Sequence, residues 1–335
     1  MRMKTGTVLT MLVLLAALTV AHASHAADAP KIVFAIPGVP PIYSTVIAYV
    51  ADKEGLFKKY GADVELRQFD NGTAGARAVV AGDADLAMSP TPLIISQIAN
   101  ADIDLVAIYG LPNPDWAIGS TDAKKASCKD LVGQPIGVDT PGGARSLALK
   151  SMLAACGMKS EQVQEVALGS QTAGAMAAGQ ITFGVLHLDD APEIESHGKS
   201  VTIVTTLAKS VPESHYIVAV ARRDRLKEKR DGFVGVLAGL IAAGRFMSDP
   251  KNADAVAEIG TVTGHTKEIS KGALARFLAI GFWAVDNDGL DRAKLDAVTK
   301  QQVEIGNVKP GKTAPDYDRL VDRSVWRDAD ALVKR

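Results

Sequence analysis

The residues best suited to chemistry lie in the run Asp139-Thr-Pro-Gly-Gly-Ala-Arg-Ser146. Thr140 offers a hydroxyl at the end of an expected strand. Gly142 and Gly143 let the backbone approach a ligand closely. Arg145 opens an expected helix, and its guanidinium can form a bidentate pair with a carboxylate or sulfonate. The plain alternative is a Gly-rich turn with Arg145 on a solvated face.

Other polar groups follow expected strand ends. Tyr43, in Val39-Pro-Pro-Ile-Tyr43, brings a ring and a hydroxyl after a stiff turn. Asn71 and Thr73 follow the second strand, Ser89 and Thr91 the third, and Thr172 a later one. Helix capping alone explains Ser and Thr at such places, but a cap can also face a ligand. Trp116 can wall a planar ligand or pack a hinge. His187-Leu-Asp-Asp190 combines a His with two adjacent carboxylates. Its spacing matches no known metal cage, so Asp189 and Asp190 read as acceptors for a ligand N–H or O–H, and no metal is expected. His215 sits where the chain is expected to cross between two halves. No cofactor and no catalytic residue is expected: the sequence lacks a G-x-S-x-G elbow, an H-E-x-x-H pair and a phosphate loop.

These groups need elements to hold them. The apolar period alternates between strand and helix through residues 31–221. Strands are expected at 31–36, 63–69, 84–88 and 105–109. Helices at 45–60, 73–81 and 91–99 alternate with them. The order then repeats, with strands at 135–139, 163–168, 183–187 and 201–207 and helices at 144–155, 172–178 and from 191. The alternation predicts an α/β fold with mostly parallel sheets flanked by helices. The short run Thr-Ala-Gly-Ala occurs at Thr73–Ala76 and again at Thr172–Ala175, at matching places in the two series. A strand at 215–221 and helices at 233–247, 252–261, 269–279 and 291–305 close the chain. The expected division is a first lobe of residues 31–119 and 217–335 and a second of 120–216, joined by a two-segment hinge. Ligands in such folds bind between the lobes, at the C-terminal ends of the strands. Helix N-termini there point N–H groups at one place and favour an anion.

The N-terminus predicts a destination. Arg2 and Lys4 precede an apolar run over residues 8–20, and small residues follow to Ala26. That order is a secretory signal, expected to be cleaved after residue 26. The run is short of the ~20 apolar residues that span a bilayer. No later stretch reads as membrane-spanning, and no Cys stands near the cleavage point to take a lipid. The rest fits a free periplasmic protein of about 300 residues, a size that favours two lobes. Lys plus Arg is 37 and Asp plus Glu is 38, which gives no basic field for nucleic acid. The two cysteines, Cys128 and Cys156, read as a disulfide in an oxidising compartment, with two buried thiols as the alternative.

The block Glu54-Gly-Leu-Phe57, with the segment around it from Ala48 to Leu66, resembles the nitrate/sulfonate/taurine and thiamine-precursor (pyrimidine) group of transporter-associated binding proteins. So does Gly82-Asp-Ala-Asp-Leu-Ala87. Asp130-Leu-Val-Gly-Gln-Pro-Ile-Gly-Val138 is similar to the start of that group's second lobe. The resemblance implies a type II periplasmic binding protein: two doubly wound α/β lobes on a hinge, monomeric, feeding an inner-membrane ABC permease and its ATPase. With the cleft residues above, it implies a small organic anion as ligand, an aromatic carboxylate or a sulfonate. A sensor that presents its ligand to a signalling receptor is the alternative, with a periplasmic enzyme behind it.

Overall fold

The computed structural model describes residues 30–140 and 142–334. The expected signal segment, residues 1–26, lies outside them. Among the described residues, ten strands form two five-stranded sheets. β1 (Ile32–Pro37), β2 (Val64–Phe69), β3 (Leu86–Pro90) and β4 (Leu105–Leu111) belong to the first, and β5 (Trp116–Ser120), β6 (Pro135–Val138), β7 (Gln164–Ala167), β8 (Phe183–His187) and β9 (Thr202–Thr206) make up the second. β10 (Ile217–Arg222) returns to the first.

The first sheet runs β2-β1-β3-β10-β4 and the second β7-β6-β8-β5-β9. The two orders match once β10 and β5 are exchanged. Each is the antiparallel member of its sheet, paired against β3 and β4 or against β8 and β9. The reason is geometric. The chain leaves β4 at its C-terminal end, next to the other lobe, so the strand it enters must run against its neighbours. The expected parallel sheets therefore each carry one reversed strand.

β5 is a strand that residue patterning missed. It pairs into the second sheet, so the first crossing falls at residues 112–115 rather than near 118–121, and the expected limit of 119 is too late. Gly119 lies inside it, where a Cβ would meet Leu186 Cδ1 at 2.6 Å. The small residue lets the strand lie under its neighbour but weakens its apolar pattern.

Burial separates the two edge strands of the first sheet, since the C-terminal segment around Val321 covers β4 and leaves β2 open. β1 and β4 are buried on both faces and read as continuous apolar runs, while edge strand β2 is only half-buried and alternates with polar residues. The helix expected over 45–60 is broken. A 3-10 turn at Tyr43–Thr45 leads into Val46–Lys53, and Gly55 at φ +65° turns the chain into Leu56–Lys59. The helix Arg230–Ser248 is long and apolar enough to cross a membrane, contrary to the sequence expectation, but 67% of that window is buried in the first lobe. The helix Ser324–Val333, also unexpected, packs along it.

Cys128 and Cys156 are bonded across 28 residues, tying the entry of the second lobe to the end of the helix Ala144–Ala155. The two lobes meet on one side of the cleft. The helix Lys267–Ala279 of the first packs on Asp190–Ser196 of the second, and Arg276 Nη2 meets Glu195 Oε1 at 2.7 Å.

Candidate functional site

A cavity of about 210 Å³ lies between the lobes. Pro40, Pro41, Ile42, Tyr43 and Ser44 wall it from the turn after β1, and Thr263 and His265 from the segment before the helix Lys267–Ala279. Asp115 reaches it from the first crossing, and His187 and Asp189 from the end of β8. The turn after β1 is tight. Gly38 stands at φ +98°, and a Cβ there would fall 2.6 Å from the Pro40 carbonyl oxygen. The residue must be glycine for the prolines to fold back over the strand end.

Two carboxylate–imidazole pairs face the cavity. His187 Nδ1 lies 2.8 Å from Asp115 Oδ2, and His265 Nε2 lies 3.2 Å from Asp189 Oδ2. Burial alone would lower the His187 pKa, but the Asp115 carboxylate outweighs it, with help from Asp190 and Asp189, and lifts it to about 9. The bond to Asp189 raises His265 against a smaller effect of burial. Burial would raise Asp189, yet His265 and His187 hold it below the ordinary carboxylate range. Asp190 goes the other way, to about 6, through burial and the neighbouring Asp189 charge.

Beside the cavity, Trp116 stacks on His187 with ring centres 3.8 Å apart. Arg145 is 8% exposed, meets Asp190 Oδ2 through Nη2 at 3.3 Å and lies 5.8 Å from the Trp116 ring centre. Its Nη1 is buried and has no hydrogen-bond partner among the described residues. Asp115 Oδ1 makes no hydrogen bond of ordinary geometry there, although the Tyr216 side chain lies close enough to feel the Asp115 carboxylate.

The structure thus gathers Tyr43, Trp116, Arg145, His187, Asp189 and Asp190 at or beside one cavity. Tyr43 is largely an anchor. Its hydroxyl donates to the Ser270 carbonyl at 2.6 Å, and its ring packs among Phe277 and Trp283. Other candidates have structural duties. Asn71, not Thr73, caps the helix Gly72–Ala81, accepting from Ala74 N at 3.0 Å. Ser89 donates to the Gly72 carbonyl at 2.7 Å. Thr91 follows its cap, Pro90, and its hydroxyl bonds His215 Nδ1 at 2.8 Å. His215 Nε2 in turn bonds the Gly289 carbonyl at 2.8 Å, so the ring is neutral, donating from Nε2 and accepting at Nδ1. Burial pushes its pKa down to about 4.

The glycine turn is not open to an anion in the expected way. The Asp139 carboxylate folds over the helix start, accepting from Thr140 N at 2.8 Å and from Arg145 N at 3.3 Å. A Cβ on Gly143 would strike that carboxylate at 2.6 Å. Gly142 N donates to Ser146 Oγ, and Thr140 is exposed. The chain supplies its own anion there, and these bonds hold Asp139 below the usual carboxylate range despite burial. Thr172 begins the helix Thr172–Ala177, fully buried, its hydroxyl without a partner among the described residues.

Asp115 and His265 were missed. Asp115 stands beside Trp116 in sequence, but only the fold shows that it turns into the cavity. His265 lies in the short connection before the helix Lys267–Ala279, and its sequence neighbours carry no signal. A larger groove of about 370 Å³ opens between Leu207–Ser210 and Arg292–Glu304. Of its charges, Lys300 and Glu304 pair with each other at the surface and Glu213 is exposed, so no buried charges converge there.

Two mixed sheets of matching order, linked by two crossings with a polar cavity between them, define the periplasmic binding protein fold. Solved structures agree. The periplasmic aliphatic sulphonate binding protein of Escherichia coli superposes with a TM-score of 0.66 at 16% identity, over 89% of this chain and 99% of that one. The periplasmic nitrate-binding protein of Synechocystis gives 0.63 at 14%, over 91% and 89%. A ligand binding component of an ABC-type import system from Staphylococcus aureus, with zinc bound, gives 0.66 at 15%, over 89% and 98%.

The chain belongs to the NMT1/THI5-like family, whose model matches residues 43–253. Relatives in Brucella abortus and Brucella suis, named provisionally as binding proteins, are 27% identical over 199 residues, 58% of this chain. The chain's match spans 61% of their length.

Proposed function

We propose that this chain is a periplasmic solute-binding protein of an ABC importer, which captures a small organic anion between its lobes and presents it to a permease. The observation that carries the reading is the inter-lobe cavity with buried, unpaired polar atoms at its edge. Burying such atoms is costly unless something pairs with them. Arg145 Nη1 beside the Trp116 ring suits a carboxylate or sulfonate on a planar solute. The proteins of similar fold named for sulphonate and nitrate support an anion. The signal-like N-terminus and the disulfide support an oxidising, extracytoplasmic compartment.

Binding suits the site better than catalysis. The Thr91–His215 pair resembles a nucleophile and its base, but it is buried and lines no cavity described above, and its imidazole is committed to Gly289.

A thermal-shift screen of purified protein against aromatic carboxylates, sulfonates, sugars and amines tests the reading. A ligand at 100 times its Kd adds about 2.7 kcal/mol, a clear rise in Tm. The account predicts hits among the anions and their loss in Arg145→Met. Hits confined to sugars or amines would contradict it.

A further inference from the structure

Three carboxylates, Asp115, Asp189 and Asp190, stand at or beside a cavity read above as a site for an anion. Arg145 is already shared with Asp190, and the two imidazoles are shared with Asp115 and Asp189. Each carboxylate therefore already has a guanidinium or imidazole partner, and Asp115 and Asp189 share one cavity wall with His187.

Asp115, His187 and Asp189 each offer a ligand atom, and these atoms lie within 4.8 Å of one another. They come from two separate segments, the first crossing and the end of β8, so the fold and not local sequence brings them together. Tetrahedral zinc binds unprotonated imidazole nitrogen and carboxylate oxygen at about 2.0–2.2 Å, so the ion would take the place of the proton that His187 shares with Asp115 across 2.8 Å. Asp115 adds a second observation. It is 4% exposed, lines the cavity, and its Oδ1 has no hydrogen-bond partner of ordinary geometry among the described residues. A buried carboxylate oxygen left unpaired is costly.

We propose that Asp115, His187 and Asp189 form a binding site for a divalent transition-metal ion, with its fourth coordination position facing the inter-lobe cavity. One nitrogen and two oxygen donors suit a borderline ion such as Zn²⁺. Three protein ligands leave a position open, as in sites that take an exogenous ligand. His265 of the first lobe, 3.2 Å from Asp189, orients that carboxylate from outside the ligand set. The ion offsets the Asp115 and Asp189 charges and presents a positive centre to a carboxylate or sulfonate. That last link rests on the proposed function. The metal site does not.

The test uses the full mature chain without an affinity tag, treated with EDTA and dialysed. Titration calorimetry with ZnCl₂ is expected to show one ion per chain, and CoCl₂ to give visible d–d absorption of a low-coordinate site. Asp115→Asn and Asp189→Asn should each weaken zinc roughly tenfold or more, while circular dichroism reports on folding. Asp254→Asn, which removes a surface carboxylate paired with Lys271, should leave zinc binding unchanged. Absence of stoichiometric binding, or affinity indifferent to both cavity variants, overturns the proposal. The anion screen, run with zinc and with EDTA, separates the two readings. Zinc binding with no anion response leaves the metal site and removes the anion. Equal anion binding in EDTA, without zinc uptake, does the reverse.

Discussion

His215 shows how a residue can look functional and turn out structural. It was placed in the ligand set because it is a histidine at an expected crossing. The fold instead closes both nitrogens on Thr91 and Gly289. Its titration is a measurable consequence. The folded pKa of about 4 lies below the unfolded value of about 6.5. The neutral ring therefore contributes stability that is fully present above pH 6.5 and is lost as pH falls through about 4. Stability derived from urea unfolding across that window should fall in the wild type by up to ~3 kcal/mol. His215→Gln should be less stable at pH 7 and should lose that part of the slope. An unchanged slope would mean that His215 does not titrate as the buried pair requires. Residue types alone could not separate this histidine from His187, because the difference lies in which chain segments pack against each. Arg145, Trp116 and the His187–Asp190 run were legible as polar or aromatic groups at strand ends. Asp139 was quoted with its turn, but that its carboxylate would fill the helix start depended on a local side-chain fold that spacing does not encode.

At the scale of elements, the alternating strands and helices were legible because buried parallel strands are continuous apolar runs and the helices between them carry a 3.6-residue period. β8 and the helix Ala144–Ala155 lie where the pattern placed them. β5 was hidden by its glycine and by the prolines before it, and the first crossing was expected inside it, near residues 118–121. The helix Ser324–Val333 was not legible because it is short and its charged residues Arg327, Asp328 and Asp330 break any apolar run. The disulfide belongs at this scale too. It joins elements 28 residues apart in sequence within one lobe. In the chain-entropy model a loop of that length contributes roughly 3–4 kcal/mol. Cys128→Ser with Cys156→Ser should lower the urea-derived stability by about that amount while leaving solute affinity nearly unchanged, since the bond lies away from the cavity-lining residues. A large loss of affinity with little loss of stability would show that the bond shapes the site itself.

At the scale of the whole molecule, the account depends on two lobes that share one cavity. The crossings at residues 112–115 and before Ile217 carry the chain between the sheets. Across the cleft, Arg276–Glu195 and His265–Asp189 link the lobes by polar contacts. Both pairs are part-buried, and opening to admit a solute would return their charged groups to water, which offsets the loss of each contact. The lobes were legible from the repeated strand–helix series. The closed contact was not, because it joins the helices Lys267–Ala279 and Asp190–Ser196, far apart in sequence and unrelated in pattern.

The most direct measurement is retention of a solute by the folded protein. Purified protein is incubated with a metabolite extract and washed, then denatured, and the released small molecules are weighed by mass spectrometry. The account predicts one solute, or one narrow chemical class, released at close to one molecule per chain from the wild type and lost from Arg145→Met. A wild type that releases nothing, or a solute held equally well by that variant, would contradict it.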